Sequence, residues 1–159
     1  LEFRRVLFRS LLHLDRLRQA QDSSGVFRAF IAWNFQPENT RLKASGQVTR
    51  KATAVDYLRL LAVARLYLDN IPNIQASWVT QGPKIGQLSL AYGANDLGGT
   101  MMEENVVREA GTHFRMTKEQ LIRLIHAAGF TAAQRNTAYE LLQVYARDAG
   151  RGDVGTSAP

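Results

Sequence analysis

Apolar side chains recur at helical spacing in three stretches of the first two thirds of the chain. Leu11, Leu14 and Leu17 follow one another every three residues and predict a helix that Gly25 ends. Later in the chain, a helix is expected from Pro83 to about Tyr92, because proline suits the first turn of a helix. The longest helix is expected between them, with Thr53 at its start, Asn70-Ile71-Pro72 at its end and apolar positions every three or four residues at Ala54, Leu58, Leu61, Ala62 and Leu68.

Short apolar runs between these helices predict buried strands. Val26–Trp33 is rich in strand-forming residues, and Pro37 closes it. Asn73–Val79 alternates apolar and polar positions, and a third short strand is expected around Ala94–Leu97. Alternation of strands and helices predicts an α/β fold in which right-handed crossovers join parallel strands.

The remainder of the chain gives mixed signals. Glu103–Glu109 is expected to form one or two turns, and Thr117 with Gln120 predicts a capping box for a helix that ends at Gly129. Periodicity leaves residues 131–147 open between a final helix and an extended segment. Residues 1–10 are interpreted as a leader foreign to the rest and residues 149–159 as a disordered tail, which leaves 11–148 as the folded part.

Composition and charge narrow the class of function. No apolar run reaches the roughly 20 residues that cross a bilayer, so we expect a cytoplasmic protein without a membrane partner. The net charge of +6 invites a nucleic-acid partner. However, residues 1–50 carry nine Lys/Arg against four Asp/Glu, whereas residues 51–159 carry eleven against ten, so we expect no nucleic-acid binding. The chain has no cysteine, which excludes disulfides, thiolate metal sites and a cysteine nucleophile.

Polar side chains collect where the predicted strands end. Carboxyl ends of parallel strands share one rim of a barrel, so these side chains can converge on one ligand. Asp96 and Glu103 are candidate catalytic residues, because a carboxylate can take a proton. The candidate binding residues, whose groups can contact bases and sugar hydroxyls, are Gln36, Ser77, Thr80, Asn95 and Glu104. For any single residue, a role as a turn former stays open. No metal site is predicted, since the histidines lack ligand spacing.

Several motifs occur in the order found in one enzyme family. Trp33–Thr40, Ser77–Pro83, Gly93–Val107, and Arg135 with Tyr139 together resemble the C-terminal part of dehypoxanthine futalosine cyclases. These are radical S-adenosylmethionine (SAM) enzymes of the futalosine route to menaquinone. A related deazaflavin (F420 precursor) synthase subunit is similar at Gly93–Thr100, but the Gln36–Thr40 and Ser77–Pro83 runs favour the cyclase.

The resemblance implies the C-terminal portion of a radical SAM TIM-type (β/α) barrel, which would be incomplete because a whole barrel needs about 250 residues. It also implies SAM and a 4Fe-4S cluster as cofactors, a nucleoside-like small-molecule substrate and an electron donor protein. Such enzymes hold the cluster on a Cys-x3-Cys-x2-Cys loop. We therefore expect this chain alone to bind no cluster and to be inactive. The alternative from another class is a basic, non-enzymatic domain that binds nucleic acid or protein.

Overall fold

The computed structural model describes residues 2–48, 50–100 and 114–147, with side chains from Arg9 onward. Within these ranges helices and short strands alternate, which confirms a mixed α/β fold. The elements are α1 (Glu2–Ser24), β1 (Ala29–Ile31), α2 (Arg41–Ala44), α3 (Ala54–Tyr67), β2 (Asn73–Gln75), α4 (Trp78–Gln81), α5 (Pro83–Ala91), α6 (Lys118–Ala127), β3 (Ala132–Arg135) and β4 (Leu141–Tyr145).

Local capping explains where two of the predicted helices begin. Thr53 accepts a hydrogen bond from the Asp56 backbone, and the Asp56 carboxylate accepts one from the Thr53 backbone, so the first turn of α3 is closed from both sides. Thr117 and Gln120 form the same capping box at the start of α6. Both helices are therefore confirmed.

Helix α1 is held against the end of α3 by polar side chains. Arg18 forms an ion pair with Asp69 and also donates to the Tyr67 carbonyl at 2.6 Å. Gln21 reaches the Asn70 carbonyl at 3.2 Å, and Asn70 donates back to the Arg18 carbonyl at 3.0 Å. The helix ends before Gly25 as predicted, but it begins at Glu2 rather than near Leu11. The origin of residues 1–10 stays a prediction.

The parallel sheet is shorter than predicted. β1 pairs with β2 in the register Ala29 to Asn73, Phe30 to Ile74 and Ile31 to Gln75. The predicted strand at 26–33 is therefore reduced to 29–31, and the strand at 73–79 ends at Gln75. The Ser77 backbone N–H donates to the Tyr57 hydroxyl at 2.7 Å and so is not available for hydrogen bonds between strands. The chain turns into α4 at this residue.

The predicted third strand is reduced to a single parallel bridge. Asp96 bridges to Gln75, and two hydrogen bonds support it: Ala76 donates to the Asp96 carbonyl at 2.8 Å, and Asn95 donates to the Ile74 carbonyl at 3.0 Å. Segment 94–97 thus lies parallel to β2, on the side away from β1. Helices α4 and α5 connect the two, as the alternation of strands and helices predicts.

Residues 131–147 contain an antiparallel hairpin, which resolves the question left open by periodicity. β3 and β4 pair from Ala132 with Tyr145 to Arg135 with Leu141, and the register shifts between Gln134 and Arg135. The predicted disordered tail at 149–159 and the predicted turns at 103–109 lie outside the described residues.

The core lies where the helices meet the parallel sheet. Its largest fully buried side chains come from α1, α3, the α3–β2 connection, β2 and α4, and they are Leu14, Tyr57, Leu61, Leu68, Ile71, Ile74 and Trp78. The Trp78 indole N–H donates to the Leu97 carbonyl at 2.8 Å, so the buried ring has its polar atom satisfied. This packing fixes the ends of β1 and β2, which Gln36, Ser77 and Thr80 follow along the chain.

Candidate functional site

Asp96 is the predicted site residue whose side chain connects the parallel segment to the hairpin. Its side chain is only 9% exposed. Oδ1 accepts from the Gly98 backbone at 2.9 Å. Oδ2 accepts from Arg135 Nη2 at 2.5 Å, from Arg135 Nε at 3.2 Å and from the Tyr139 hydroxyl at 3.2 Å. The carboxylate therefore joins the bridge beside β2 to the hairpin, about forty positions further along the chain.

The hairpin turn shapes the two partners of Asp96. The Arg135 guanidinium lies 3.9 Å from the centre of the Tyr139 ring, a cation–π contact. Tyr139 has a φ of +67°, which is unusual for a residue other than glycine or asparagine. Asn136 supports this turn, because its side-chain oxygen accepts from the backbones of Ala138 at 2.9 Å and Glu140 at 3.0 Å.

Electrostatics keep both partners in their hydrogen-bond-donating forms. Burial raises the pKa of the Tyr139 hydroxyl, and the charge of Asp96 raises it further. Burial lowers the pKa of Arg135, but its hydrogen bond and charge interaction with Asp96 outweigh this, and the pKa is raised overall. Tyr139 thus stays protonated and Arg135 stays charged at neutral pH.

Gln75 and Gly98 complete the surroundings of Asp96. Gly98 has a φ of +69°, and a Cβ added to it would lie 2.7 Å from the Gln75 amide nitrogen. The positive φ favours glycine at this turn, and the Gln75 amide would have to shift to admit a larger residue. The Gln75 side chain therefore passes directly over the turn that follows Asp96.

Ser77 and Thr80 are nearly buried and use their hydroxyl hydrogens locally. Ser77 Oγ donates to the Ala32 carbonyl at 2.7 Å, and Thr80 Oγ1 donates to the Ser77 carbonyl at 3.1 Å. The structure brings these two residues together beside the end of β1. With their hydrogens used, the hydroxyls can offer a ligand only acceptor positions.

Asn95 faces the other end of the sheet. Its Oδ1 accepts from Arg65 Nη2 at 2.7 Å and from the Ile74 backbone at 2.8 Å. Its Nδ2 donates to Asn73 Oδ1 at 3.2 Å and to the Pro72 carbonyl at 3.4 Å. All its hydrogen-bonding positions are in use at the amino end of β2, while Ser77 follows the carboxyl end. Its predicted binding role remains a prediction.

The segment after β1 carries polar atoms without partners. Gln36 donates to the Asn34 carbonyl at 3.3 Å. On the same segment, the atoms Asn34 Nδ2 and Glu38 Oε2 are buried and form no hydrogen bond. The other Glu38 oxygen accepts from Lys51 at 2.9 Å. One unused donor and one unused acceptor suit a hydroxyl group, which needs both.

Glu103 and Glu104 lie outside the described residues, so the structure neither adds them to this site nor removes them. Within the described ranges, no three carboxylate or imidazole side chains form a group that could hold a metal ion. Among the same residues, no helix has both the length and the apolar character needed to cross a membrane.

Sequence reasoning did not assign chemistry to Gln75, Arg65, Arg135 or Tyr139, which contact the candidate residues. The sequence carries Arg135 and Tyr139 only as part of the family resemblance. Nothing in periodicity alone connects them with Asp96, because the connection crosses 39 and 43 positions. A strand pattern in residues 131–147 would have been the one useful signal.

Comparison with known proteins gives consistent matches. The profile of the family described as "CofH/MqnC C-terminal region" matches residues 24–147. One relative is a cyclic dehypoxanthine futalosine synthase from Halalkalibacterium halodurans, to which the chain is 52% identical. The match covers 84% of this chain and 35% of that protein. Another is an aminodeoxyfutalosine synthase from Thermus thermophilus, to which the chain is 42% identical. That match covers 85% of this chain and 37% of the relative.

A third group of relatives carries a different name. The chain is 43% identical to a 5-amino-6-(D-ribitylamino)uracil–L-tyrosine 4-hydroxyphenyl transferase from Methanopyrus kandleri. This match covers 84% of the chain and 37% of the transferase. In each case the chain spans about a third of the length of the relative.

Proposed function

The chain belongs to the CofH/MqnC C-terminal region family, and on that premise we propose that it is part of a radical SAM enzyme that cyclises dehypoxanthine futalosine. The reaction belongs to the futalosine route to menaquinone. The proposal includes the architecture: β1, β2 and segment 94–97 are the last parallel strands of a (β/α) barrel. The parallel pairing and the intervening helices support it.

One observation carries the choice of reaction. Identity to two cyclic dehypoxanthine futalosine synthases is 52% and 51%, against 42% to an aminodeoxyfutalosine synthase and 43% to a 4-hydroxyphenyl transferase. The deazaflavin alternative is therefore less favoured. The difference of about nine percentage points favours the cyclisation substrate.

In such an enzyme, part of the cofactor-binding site has to come from a region outside this chain. A 4Fe-4S cluster with SAM supplies the radical that starts chemistry of this kind. Cluster ligands are cysteine thiolates, and this chain has no cysteine, so its residues do not fit that group. We propose that the cluster ligands belong to a region that the relatives possess and this chain does not contain. An electron donor protein would serve the intact enzyme.

The residues of this chain would bind and orient the nucleoside-like substrate. Asn34 Nδ2 and Glu38 Oε2 are unpartnered on the segment that carries Gln36, which supports a contact with sugar hydroxyls there. Ser77 and Thr80 can accept hydrogen bonds from the substrate. Asp96 is the proposed proton acceptor, with Glu103 as the second candidate and Glu104 as a binding residue. Asn95 can join the site only by giving up one of its existing hydrogen bonds.

A pair of chimeras tests the proposed function. Residues 24–147 replace the matching region of the Halalkalibacterium halodurans synthase in one, and that of the Methanopyrus kandleri transferase in the other. Each is reconstituted with its cluster and assayed with a chemical reductant, with the unaltered hosts as controls. We expect the first chimera to cyclise dehypoxanthine futalosine and the second to be inactive on the host's substrates. Activity in the transferase host alone would overturn the proposal.

A further inference from the structure

We propose that Arg135 and Tyr139 are positioning residues that fix the carboxylate of Asp96, so that only Oδ1 remains to receive the substrate. The inference rests on the proposed function and extends it to residues of the hairpin. Three donor atoms reach Oδ2, two from Arg135 and one from Tyr139. A carboxylate oxygen has two lone pairs, so Oδ2 is fully used. Oδ1 receives one donor, from Gly98, and has one position left.

The backbone of the hairpin turn supports this assignment. Tyr139 takes a left-handed conformation, with a φ of +67°, that disfavours a side chain of its size. Such conformations persist where surrounding contacts fix them, and they collect at functional sites. Here the Asn136 side chain fixes the turn, and the result is a tyrosine hydroxyl at 3.2 Å from Asp96.

The packing of the hairpin points the same way. Leu141, Leu142 and Val144 of β4 are 69%, 60% and 59% exposed, so burial of these apolar side chains does not hold the strand in place. Its links to the rest of the described protein include polar ones: Arg135 and Tyr139 to Asp96, and Arg28 Nη1 to the Ala138 carbonyl at 3.2 Å. At its other end the hairpin contacts α6, where His126 Nε2 lies 3.1 Å from the Tyr145 carbonyl, so the bonds with Asp96 and Arg28 are those that hold the turn end.

The competing explanation is that these bonds only fasten the hairpin. A positioning residue acts through Asp96, so removing it from an enzyme that already lacks the carboxylate should change little. A purely structural residue also couples with Asp96, because its bonds end there, but that coupling appears in the free energy of unfolding and not in the kcat or substrate affinity of the folded enzyme. A double-mutant cycle that measures unfolding, kcat/KM and substrate affinity therefore separates the two explanations.

The cycle uses the cyclase chimera described above, which is a complete enzyme. Tyr139→Phe removes one hydroxyl and keeps the ring over Arg135, and Arg135→Lys removes the two-point contact. Matched controls come from the same hairpin region. Tyr145→Phe removes a hydroxyl that bonds Gln134 and Gln143, and Arg147→Lys alters an arginine that bonds the Gly129 carbonyl.

We expect kcat/KM to fall about tenfold in Tyr139→Phe and further in Arg135→Lys, with the loss shared between kcat and substrate affinity, and both controls within about twofold of the unmutated chimera. In an Asp96→Asn background, Tyr139→Phe should add less than about twofold. The same double-mutant cycle is also measured on the substrate dissociation constant without SAM, so that the result does not depend on turnover. Denaturation midpoints check that each variant is folded.

Equal effects of Tyr139→Phe with and without Asp96, in both kcat/KM and the dissociation constant, would overturn the inference. So would a Tyr139→Phe variant that behaves like Tyr145→Phe. An unmutated chimera that binds the substrate but does not cyclise it would contradict the proposed function instead, and the binding cycle would still decide whether Tyr139 acts through Asp96.

Discussion

Arg65 donates a hydrogen bond of 2.7 Å from Nη2 to the side-chain oxygen of Asn95. Its Nε donates to the Gly93 carbonyl at 2.7 Å, and Nη1 donates to the Pro72 carbonyl at 3.2 Å. One guanidinium therefore joins α3 to the connection before β2 and to the connection before segment 94–97. Burial lowers the pKa of Arg65, but the group stays charged. In the proposed barrel, contacts at the amino ends of the strands would contribute to stability.

Asn95→Ala is expected to lower the free energy of unfolding by about 1–3 kcal/mol, because it leaves Arg65 and the Ile74 N–H with an unpaired donor. Urea denaturation of the purified chain measures this. Gln47→Ala, at an exposed position, is the control and should change little. A large loss of substrate affinity in the chimera without loss of stability would contradict the structural role.

Gly86→Ala is expected to destabilise the chain by about 1–3 kcal/mol despite the higher helix propensity of alanine. A Cβ at Gly86 would lie 2.6 Å from the Cβ of Trp78, whose indole is fixed on the Leu97 carbonyl. Neither helix can move without disturbing the core. Thermal unfolding measures the effect. Gly99→Ala is the matched control, since a Cβ there meets nothing within 4 Å, and an equal loss in both would refute the explanation.

Asp56 should make the stability of α3 depend on pH. Hydrogen bonds from the Thr53 backbone and hydroxyl lower the pKa of Asp56, and the nearby charge of Arg50 lowers it further. Because the folded pKa is lower than the unfolded value of about 3.9, the stabilisation is present above that value and is lost as the pH falls through the folded pKa. Asp56→Asn should therefore cost about 1 kcal/mol at pH 7 and little in strong acid.

Urea denaturation of the Asp56→Asn variant and the unmutated chain at several pH values tests this dependence. Thr53→Ser keeps a capping hydroxyl and should retain the normal pH profile. A constant difference between Asp56→Asn and the unmutated chain across the acid range would contradict the assignment.

The parts of the fold that depend on neighbouring residues were predictable from the sequence. Both capping boxes and the start of α5 at Pro83 rest on interactions within one turn, so the residue types alone indicate them. The strands were predicted too long, because their ends depend on distant groups such as the Tyr57 hydroxyl. The contacts of Asp96 could not be predicted, since β3 and β4 show no clear alternation and their pairing brings Arg135 and Tyr139 to it.

Asp96→Asn in the cyclase chimera is expected to reduce turnover by about 10²–10⁴-fold, the range typical of a general base. Glu103→Gln should do the same if the second carboxylate takes the proton instead. Product formation under substrate saturation distinguishes the two. Turnover that survives both substitutions would remove both carboxylates from the proposed mechanism.

The chain by itself is expected to acquire no iron–sulfur cluster on anaerobic incubation with iron and sulfide, because it contains no cysteine thiolate. Visible absorption and iron analysis after desalting measure this, with the complete Halalkalibacterium halodurans synthase as the positive control. Stoichiometric iron with cluster absorption on the purified chain would contradict the prediction.

The order of synthesis gives the Asp96 contacts a consequence for biogenesis. Asp96 leaves the ribosome before Arg135 and Tyr139, which follow it by 39 and 43 positions. During that interval the nascent carboxylate has the Gly98 amide but neither hairpin partner. A messenger truncated between the codons of Gly129 and Arg135 would therefore encode all the described helices, while the Asp96 carboxylate of the product would be held by the Gly98 amide without either hairpin partner.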